Sequence, residues 1–172
     1  MARAGEWFSK WTPRRVFTGV FAVCVGLIAY ALYLQHALAL EPCPMCILQR
    51  YAFIAIAIVA LVVAIQNPRG IALTAYGGLI VLIAAAGSGV AIRHSWLQHF
   101  PEPSLSCGAD LGYLLNTFPL AKALPTIFEG TGECSKVDWR LLGLSIPEWA
   151  LVWFVVLAAI AAFAVLRMRK RP

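Results

Sequence analysis

The chain has 172 residues, of which 61% are hydrophobic and 13% charged, and its mean hydropathy is +0.78. A soluble globular domain is closer to about half apolar and about one quarter charged, so this composition excludes an ordinary soluble protein and is typical of a membrane protein. The net charge of +6 is not gathered into a long basic stripe and therefore does not indicate nucleic acid binding.

Four stretches are apolar enough and long enough to cross a bilayer as helices, which takes about 20 residues. They are Val16–Leu38, Ile47–Ile65, Ile71–Ile92 and Pro147–Leu166. The first could be a cleaved signal peptide, but its apolar run is longer than the roughly 7–15 residues of such a signal. We therefore expect residues 1–172 to form a single all-α membrane domain, a four-transmembrane-helix bundle.

A short loop, residues 39–46, precedes the second span and carries Cys43 and Cys46. Two residues between cysteines are typical of an exchangeable dithiol. Cys46 lies at the expected start of the second helix, where unpaired N–H groups and the helix dipole stabilise a thiolate. Arg50 follows one turn later on the same face. A guanidinium at the membrane boundary would be stabilised by a thiolate or an oxyanion, although an ordinary interfacial arginine is the alternative interpretation.

Zinc is a second interpretation of this cysteine spacing. A closed zinc site needs four ligands and this pair supplies only two, so zinc is the less favoured interpretation and we predict no resident metal. Candidates for the missing ligands are Cys107, Cys134, His36, His94 and His99.

A turn, residues 66–70, joins the second and third spans, and a long loop, residues 93–146, joins the third to the last. Prolines and glycines interrupt the long loop, which is apolar enough to lie along the membrane surface or to form a small core on the helix ends. A bridge between its cysteines, Cys107 and Cys134, would close about 28 residues and stabilise the fold by about 3.5 kcal/mol, so a purely structural disulfide is the simplest reading of spacing alone. The tryptophans near the span ends fit aromatic belts and suggest no catalytic role; they are Trp96, Trp139, Trp149 and Trp153.

Lysine and arginine predict the orientation of the spans. The N-terminal segment, the turn 66–70 and the C-terminal tail are rich in these residues, whereas the other loops dilute them with nearly all the acidic ones. Both termini and the turn should therefore face the cytoplasm, which places four of the five cysteines on the outer side and only Cys24 in mid-membrane. Cysteines concentrated on that side indicate an oxidising compartment.

A membrane dithiol that is oxidised repeatedly needs an electron acceptor. The sequence contains no dinucleotide-binding glycine motif, no Cys-x-x-Cys-His haem attachment motif and no paired mid-span histidines. The spans are almost free of ionisable residues, which argues against an ion transporter. A small lipid-soluble oxidant that reaches Cys46 from the bilayer is the simplest acceptor.

Three segments of the chain resemble the bacterial disulfide bond formation protein B (DsbB) family of inner-membrane thiol:quinone oxidoreductases. They are "QHALALEPCPMCILQR" at the first loop, "RHSWLQHFPEPSLSC" entering the second, and "PTIFEGTGECSKVDWRLLGLSIPEW" leading into the last span. The resemblance extends over nearly the whole chain. It implies a bacterial inner-membrane protein with both termini in the cytoplasm and one short and one long periplasmic loop.

The resemblance also implies a relay between two redox-active disulfides, Cys43–Cys46 and Cys107–Cys134. A reduced periplasmic partner, a thioredoxin-fold oxidase of the DsbA type, would attack Cys107 to form a mixed disulfide. The freed Cys134 would engage Cys43 and leave Cys46 as a thiolate beside ubiquinone or menaquinone from the membrane quinone pool. The reaction would thereby drive disulfide formation in periplasmic proteins.

Family resemblance adds roles for two further residues near the quinone. Arg50 would stabilise the charge that develops there, and His94 matches a histidine that would hydrogen-bond the quinone. Gln49 stands where some relatives have glutamate, and its role is open. Cys24 matches no family cysteine and is interpreted as a buried inert thiol.

Two other functions are compatible with four spans and two cysteine pairs. The chain could resemble vitamin K epoxide reductase, although the active pair of that family lies nearer the last helix. It could also be a non-enzymatic membrane protein with static disulfides.

Overall fold

A computed structural model describes residues 12–40, 42–100, 132–135, 137 and 139–168. Within these ranges lie four long helices, α1 (Pro13–Ala37), α2 (Pro44–Gln66), α3 (Gly70–His99) and α4 (Ile146–Met168). A 3-10 turn, Gly132–Ser135, and two short antiparallel strands, β1 (Arg140–Leu141) and β2 (Leu144–Ser145), precede α4.

Each of these four helices is long and apolar enough to span a membrane, which confirms the predicted four-helix membrane fold. The helix ends differ from the predicted spans. Helix α2 begins at Pro44, three residues early, and α3 continues to His99, seven residues past Ile92. Hydropathy marks the stretch that lipid can surround, whereas a helix continues for as long as its backbone bonds and packing are satisfied.

The ends of the helices follow from local chemistry. Thr12 caps α1 through its side chain, which accepts from Arg15 N, and Pro13 supplies the fixed φ favoured at a first helical position. Helix α2 ends at Gln66, and its C-cap residue Asn67 adopts the left-handed conformation with φ 47°. At the start of α4, the Glu148 carboxylate accepts from the Ser145 backbone N–H at 2.6 Å.

The helices pack in sequence order, α1 on α2, α2 on α3 and, most extensively, α3 on α4, while α1 and α4 touch only slightly. The bundle interior contains large apolar side chains at its centre, such as Phe17, Ile56 and Leu157, which are at most 1% exposed. Cys24 is also fully buried there, as predicted for an inert thiol.

The outward faces of the bundle are apolar too. Large side chains such as Ile58, Leu82 and Val155 are more than half exposed. In water such continuous apolar surface would drive association, whereas in a bilayer it faces lipid tails. The apolar outer surface of the four helices is therefore that of a membrane protein, as the composition predicts.

Two helices approach closely where α3 carries glycine. A Cβ on Gly87 would lie 2.5 Å from Cζ of Phe154, which itself stacks on Phe53 with ring centroids 4.1 Å apart and planes 6° apart. The absent side chain thus makes room for a ring pair that links α3, α4 and α2 just below the cysteines.

Candidate active site

Cys43 is the N-cap residue of α2 and places both sulfurs of the motif at the helix start. Its backbone is extended, Pro44 follows at the first helical position, and its Sγ accepts from the Cys46 backbone N–H at 3.4 Å. The two sulfurs are 3.3 Å apart and carry a hydrogen bond from Cys43 to Cys46, so this is the dithiol form of the pair. The sulfurs are close enough that an acceptor of two electrons and two protons could convert the pair to a disulfide, with an S–S bond of about 2.05 Å, after only a modest approach.

Helix α3 brings His94 to the same place. Its Nε2 lies 3.6 Å from Cys43 Sγ, and its Nδ1 lies 3.3 Å from Gln49 Nε2. Both His94 and Gln49 are almost fully buried, at 2% and 3% exposure. The seven residues by which α3 exceeds its predicted span are the ones that carry this histidine.

The 3-10 turn adds Cys134, which is fully buried against the same residues. Its side chain hydrogen-bonds Cys43, and its backbone hydrogen-bonds the ring of His94. The ligand-type atoms of Cys43, His94 and Cys134 all lie within 4.8 Å of one another. Met45 packs under them and is fully buried, consistent with a packing role.

These neighbours perturb the titration of Cys43. The hydrogen bond from Cys134 lowers the pKa of Cys43, but the hydrogen bond to Cys46, burial and the charge of Cys46 raise it, and the net pKa is about 12. Cys43 therefore keeps its proton at neutral pH.

Arg50 lies on the other side of Cys46 and is tied to α1. Its guanidinium donates to Gln35 Oε1 at 2.6 Å and to the Ala31 carbonyl at 3.3 Å. The positive charge is near enough to interact electrostatically with Cys46. Because both of these hydrogen-bond acceptors are neutral, they orient the guanidinium without cancelling its charge.

A cavity of about 370 Å³ opens beside Cys46 between α1, α2 and α4, with the last turns of α3 also in its wall. It lies where α1 and α4 barely touch. Most of its wall is apolar, with a polar group at the cysteine end. The polar lining residues include Cys43, Cys46, Gln49, Arg50, His94 and Gln98. An apolar cavity with a few convergent polar groups is the usual form of a small-molecule site.

Two parts of this site were not predicted from the sequence. Trp139, Trp149 and Trp153 line the cavity rather than serving only as an aromatic belt. Gln49, whose role was open, contacts His94. No periodicity signals either feature, because both depend on contacts between helices distant in sequence.

The remaining candidates lie elsewhere. His36 and His99 are exposed, and His99 lies 3.8 Å from Glu148. Cys107, and with it the predicted Cys107–Cys134 disulfide, lies outside the described residues.

Comparison with known proteins assigns the family. The family model "Disulfide bond formation protein DsbB" matches residues 13–164. The chain belongs to the DsbB family. It is 52% identical over 158 residues to disulfide bond formation protein B of Aromatoleum aromaticum, covering 92% of this chain and 95% of that relative. The proteins of the same name from an Azoarcus species and a Polaromonas species are 48% and 46% identical, with 92% of this chain covered in each case and 95% and 94% of those relatives.

Membership in the DsbB family makes this chain a multi-pass membrane protein of disulfide bond formation. It decides against the vitamin K epoxide reductase alternative. The name of the family implies an oxidoreductase role.

Proposed function

We propose that this chain reoxidises a periplasmic DsbA-type thioredoxin-fold oxidase and passes its electrons through two cysteine pairs to a membrane quinone. The observation that supports this most directly is the apolar cavity beside Cys46 and Arg50. It adjoins the cysteine cluster at one end and is lined by apolar side chains of α1 and α4 elsewhere.

The thiol steps balance as two-electron exchanges. The partner dithiol is oxidised as the Cys107–Cys134 disulfide is reduced, through a mixed disulfide at Cys107. Cys134 then attacks Sγ of Cys43 in the Cys43–Cys46 disulfide, forming the Cys43–Cys134 bond and releasing Cys46 as a thiolate. The existing hydrogen bond between Cys134 and Cys43 supports this step, since the two sulfurs already lie within reach.

The residues around the cavity fit a quinone, either ubiquinone or menaquinone. Three tryptophans and several leucines can cover an apolar ring and its isoprenoid attachment, and Arg50 offers N–H donors at the polar end. A bound quinone would supply the acceptor for two electrons and two protons. Arg50, oriented by Gln35, stabilises negative charge at that end of the cavity, as a preorganised donor does in other active sites.

His94 serves the thiols in this arrangement. Its two ring nitrogens contact Cys43 and Gln49, so the predicted hydrogen bond to a quinone would require it to release one of them. We propose that His94 accepts the proton of the attacking thiol, with Gln49 holding the ring in place. A ring nitrogen of a neutral histidine can accept such a proton when it lies close to the thiol, and His94 Nε2 lies 3.6 Å from Cys43 Sγ.

The membrane sidedness of the site is part of the proposal. The cysteine cluster lies at the end of the bundle formed by the start of α2 and the end of α3. The start of α1 lies at the opposite end, where Asn67 Oδ1 accepts a hydrogen bond from the Arg14 backbone N–H. With the predicted cytoplasmic termini, the cysteines face the periplasm of the inner membrane. We expect a membrane-impermeant maleimide to label Cys46 in intact spheroplasts. Labelling that occurs only after lysis would show the opposite orientation.

Detergent-purified protein, a reduced DsbA-type oxidase and ubiquinone test the reaction itself. We expect loss of quinone absorbance that depends on the oxidase. Cys46→Ser should abolish it, Cys107→Ser should abolish the covalent complex with the oxidase, and Cys24→Ser should do neither. Quinone turnover by Cys46→Ser would refute the mechanism, and disulfides unchanged by the reduced oxidase would favour static bridges.

A further inference from the structure

We propose that the reduced protein binds one thiophilic metal ion, of the zinc class, through Cys43, His94 and Cys134, with Cys46 completing the site. Metal binding does not depend on the proposed function. The inhibition that it would cause rests on that function, because a metal-bound thiolate cannot take part in disulfide exchange.

The ligand spacing is close to that of a tetrahedral site. With zinc–sulfur and zinc–nitrogen bonds of about 2.3 and 2.05 Å, a sulfur and a nitrogen ligand are about 3.5 Å apart and two sulfurs about 3.8 Å. Cys43 Sγ and His94 Nε2 are 3.6 Å apart, and all three ligand atoms fall within 4.8 Å of one another. Side-chain adjustment of a few tenths of an ångström to one ångström brings them to bonding geometry.

The three ligands come from separate elements held by packing. Cys43 caps α2, His94 lies in the last turns of α3, and Cys134 lies in the 3-10 turn. They are 7%, 2% and 0% exposed, and apolar Met45 and Leu97 surround them. An ion here would replace thiol hydrogen bonds with stronger metal–ligand bonds in a site largely closed to water.

Gln49 gives His94 the support that a ligating histidine needs. Such a histidine usually donates its second ring N–H to a neighbouring acceptor, which fixes the tautomer that leaves the other nitrogen free for the metal. The Gln49 amide contacts His94 Nδ1 at 3.3 Å. With its oxygen turned toward Nδ1–H, the amide directs the lone pair of Nε2 at the sulfur side of the cluster.

Cys46 is the candidate for the fourth position, since its sulfur is 3.3 Å from that of Cys43, but it lies outside the group of three ligand atoms and would have to turn toward the ion. A disulfide between any two of these cysteines removes two ligands at once. The site therefore exists only in the reduced protein, and metal and oxidant compete for the same sulfurs.

Cobalt titration of the detergent-purified full chain, reduced with a phosphine, tests the site without partner or quinone. We expect one Co²⁺ per chain, with visible bands of a tetrahedral complex and near-ultraviolet thiolate charge-transfer bands, displaced by Zn²⁺ and absent after oxidation. Cys134→Ser and His94→Ala should each weaken binding at least about 100-fold. Cys24→Ser and His36→Ala, a buried cysteine and an exposed histidine outside the cluster, should leave it unchanged.

His94→Cys controls for misfolding, because it restores a soft ligand and should recover most of the affinity lost in His94→Ala. Cobalt binding that survives both Cys134→Ser and His94→Ala would overturn the proposal and assign the metal to the Cys43–Cys46 dithiol alone. A separate assay should show zinc inhibition of quinone reduction that a chelator reverses. Cobalt binding without such inhibition would leave the metal site intact and count against the proposed function.

Discussion

Gly87→Ala tests whether the stacked ring pair below the cysteines is as tightly packed as the structure indicates. The added Cβ would lie 2.5, 2.7 and 2.9 Å from three carbons of the Phe154 ring, whereas carbon atoms in contact are about 3.5–4.0 Å apart. The ring would have to retreat by about 1 Å. It cannot do so freely, because Phe53 lies parallel to it with centroids 4.1 Å apart.

The expected cost follows from this geometry and from a matched control. Overpacking a close-packed interior costs about 1–3 kcal/mol. Gly89→Ala, two positions along α3, adds its Cβ to open space. Both variants gain the same helix propensity, about 1 kcal/mol, so their difference isolates the packing term.

Thermal unfolding of both variants in the same detergent measures that difference. For a chain of this size we expect Gly87→Ala to unfold about 2–12 °C below Gly89→Ala. Because Phe53 also lines the cavity, Gly87→Ala should raise the apparent KM for quinone as well. Equal unfolding temperatures for the two variants would refute the packing argument.

Three other changes probe the site directly. Arg50→Lys keeps the charge but cannot hold the two hydrogen bonds to α1, one of them to Gln35 at 2.6 Å. The KM for quinone should therefore rise about tenfold while complex formation with the oxidase is unchanged. Equal loss of both would indicate misfolding. Gln49→Leu removes the partner of a buried His94 nitrogen, which should destabilise the fold by about 1–3 kcal/mol and lower the unfolding temperature. Gln49→Glu keeps a hydrogen-bonding group there and should unfold close to the temperature of the unsubstituted protein; equal unfolding temperatures for the two variants would count against the contact. The pKa of Cys43 is raised to about 12, so its protonated form should stabilise the fold below pH 9, and this contribution should fade as pH rises toward 12. Alkylation of Cys43 by iodoacetamide, measured by mass spectrometry, should be slow at pH 8 and accelerate between pH 9 and pH 12. Alkylation at pH 8 as fast as that of an exposed thiol would contradict the raised pKa.

Much of the site could be located in advance because its parts follow one another in the chain. Cys43, Cys46 and Arg50 lie within one helical start, and i, i+3 and i, i+4 spacing places them on neighbouring faces whatever the rest of the fold does. Here the structure agrees with the expectation for position, and it adds the partner of Arg50 on α1. The disulfide pairing with Cys107 stays a prediction.

The contacts of His94 and Cys134 could not be predicted in the same way. His94 is 51 residues from Cys43, and Cys134 is further still. Local spacing carries no information about such pairs, and the hydrogen bond from His94 to the quinone that the resemblance implies stays a prediction. Only the packing of α3 on α2 turns its ring toward Cys43 and Gln49.

The sequence by itself determined which segments lie in lipid and which lie in water. Four apolar runs of sufficient length require helices in a bilayer, since lipid cannot satisfy an exposed backbone, and the clustering of cysteines and basic residues predicts which end carries the chemistry. Tertiary structure decided what those residues touch. The helix ends, the tryptophan-lined cavity between α1 and α4, and the group of Cys43, His94 and Cys134 all arise from close packing between helices, which depends on shape rather than on hydropathy.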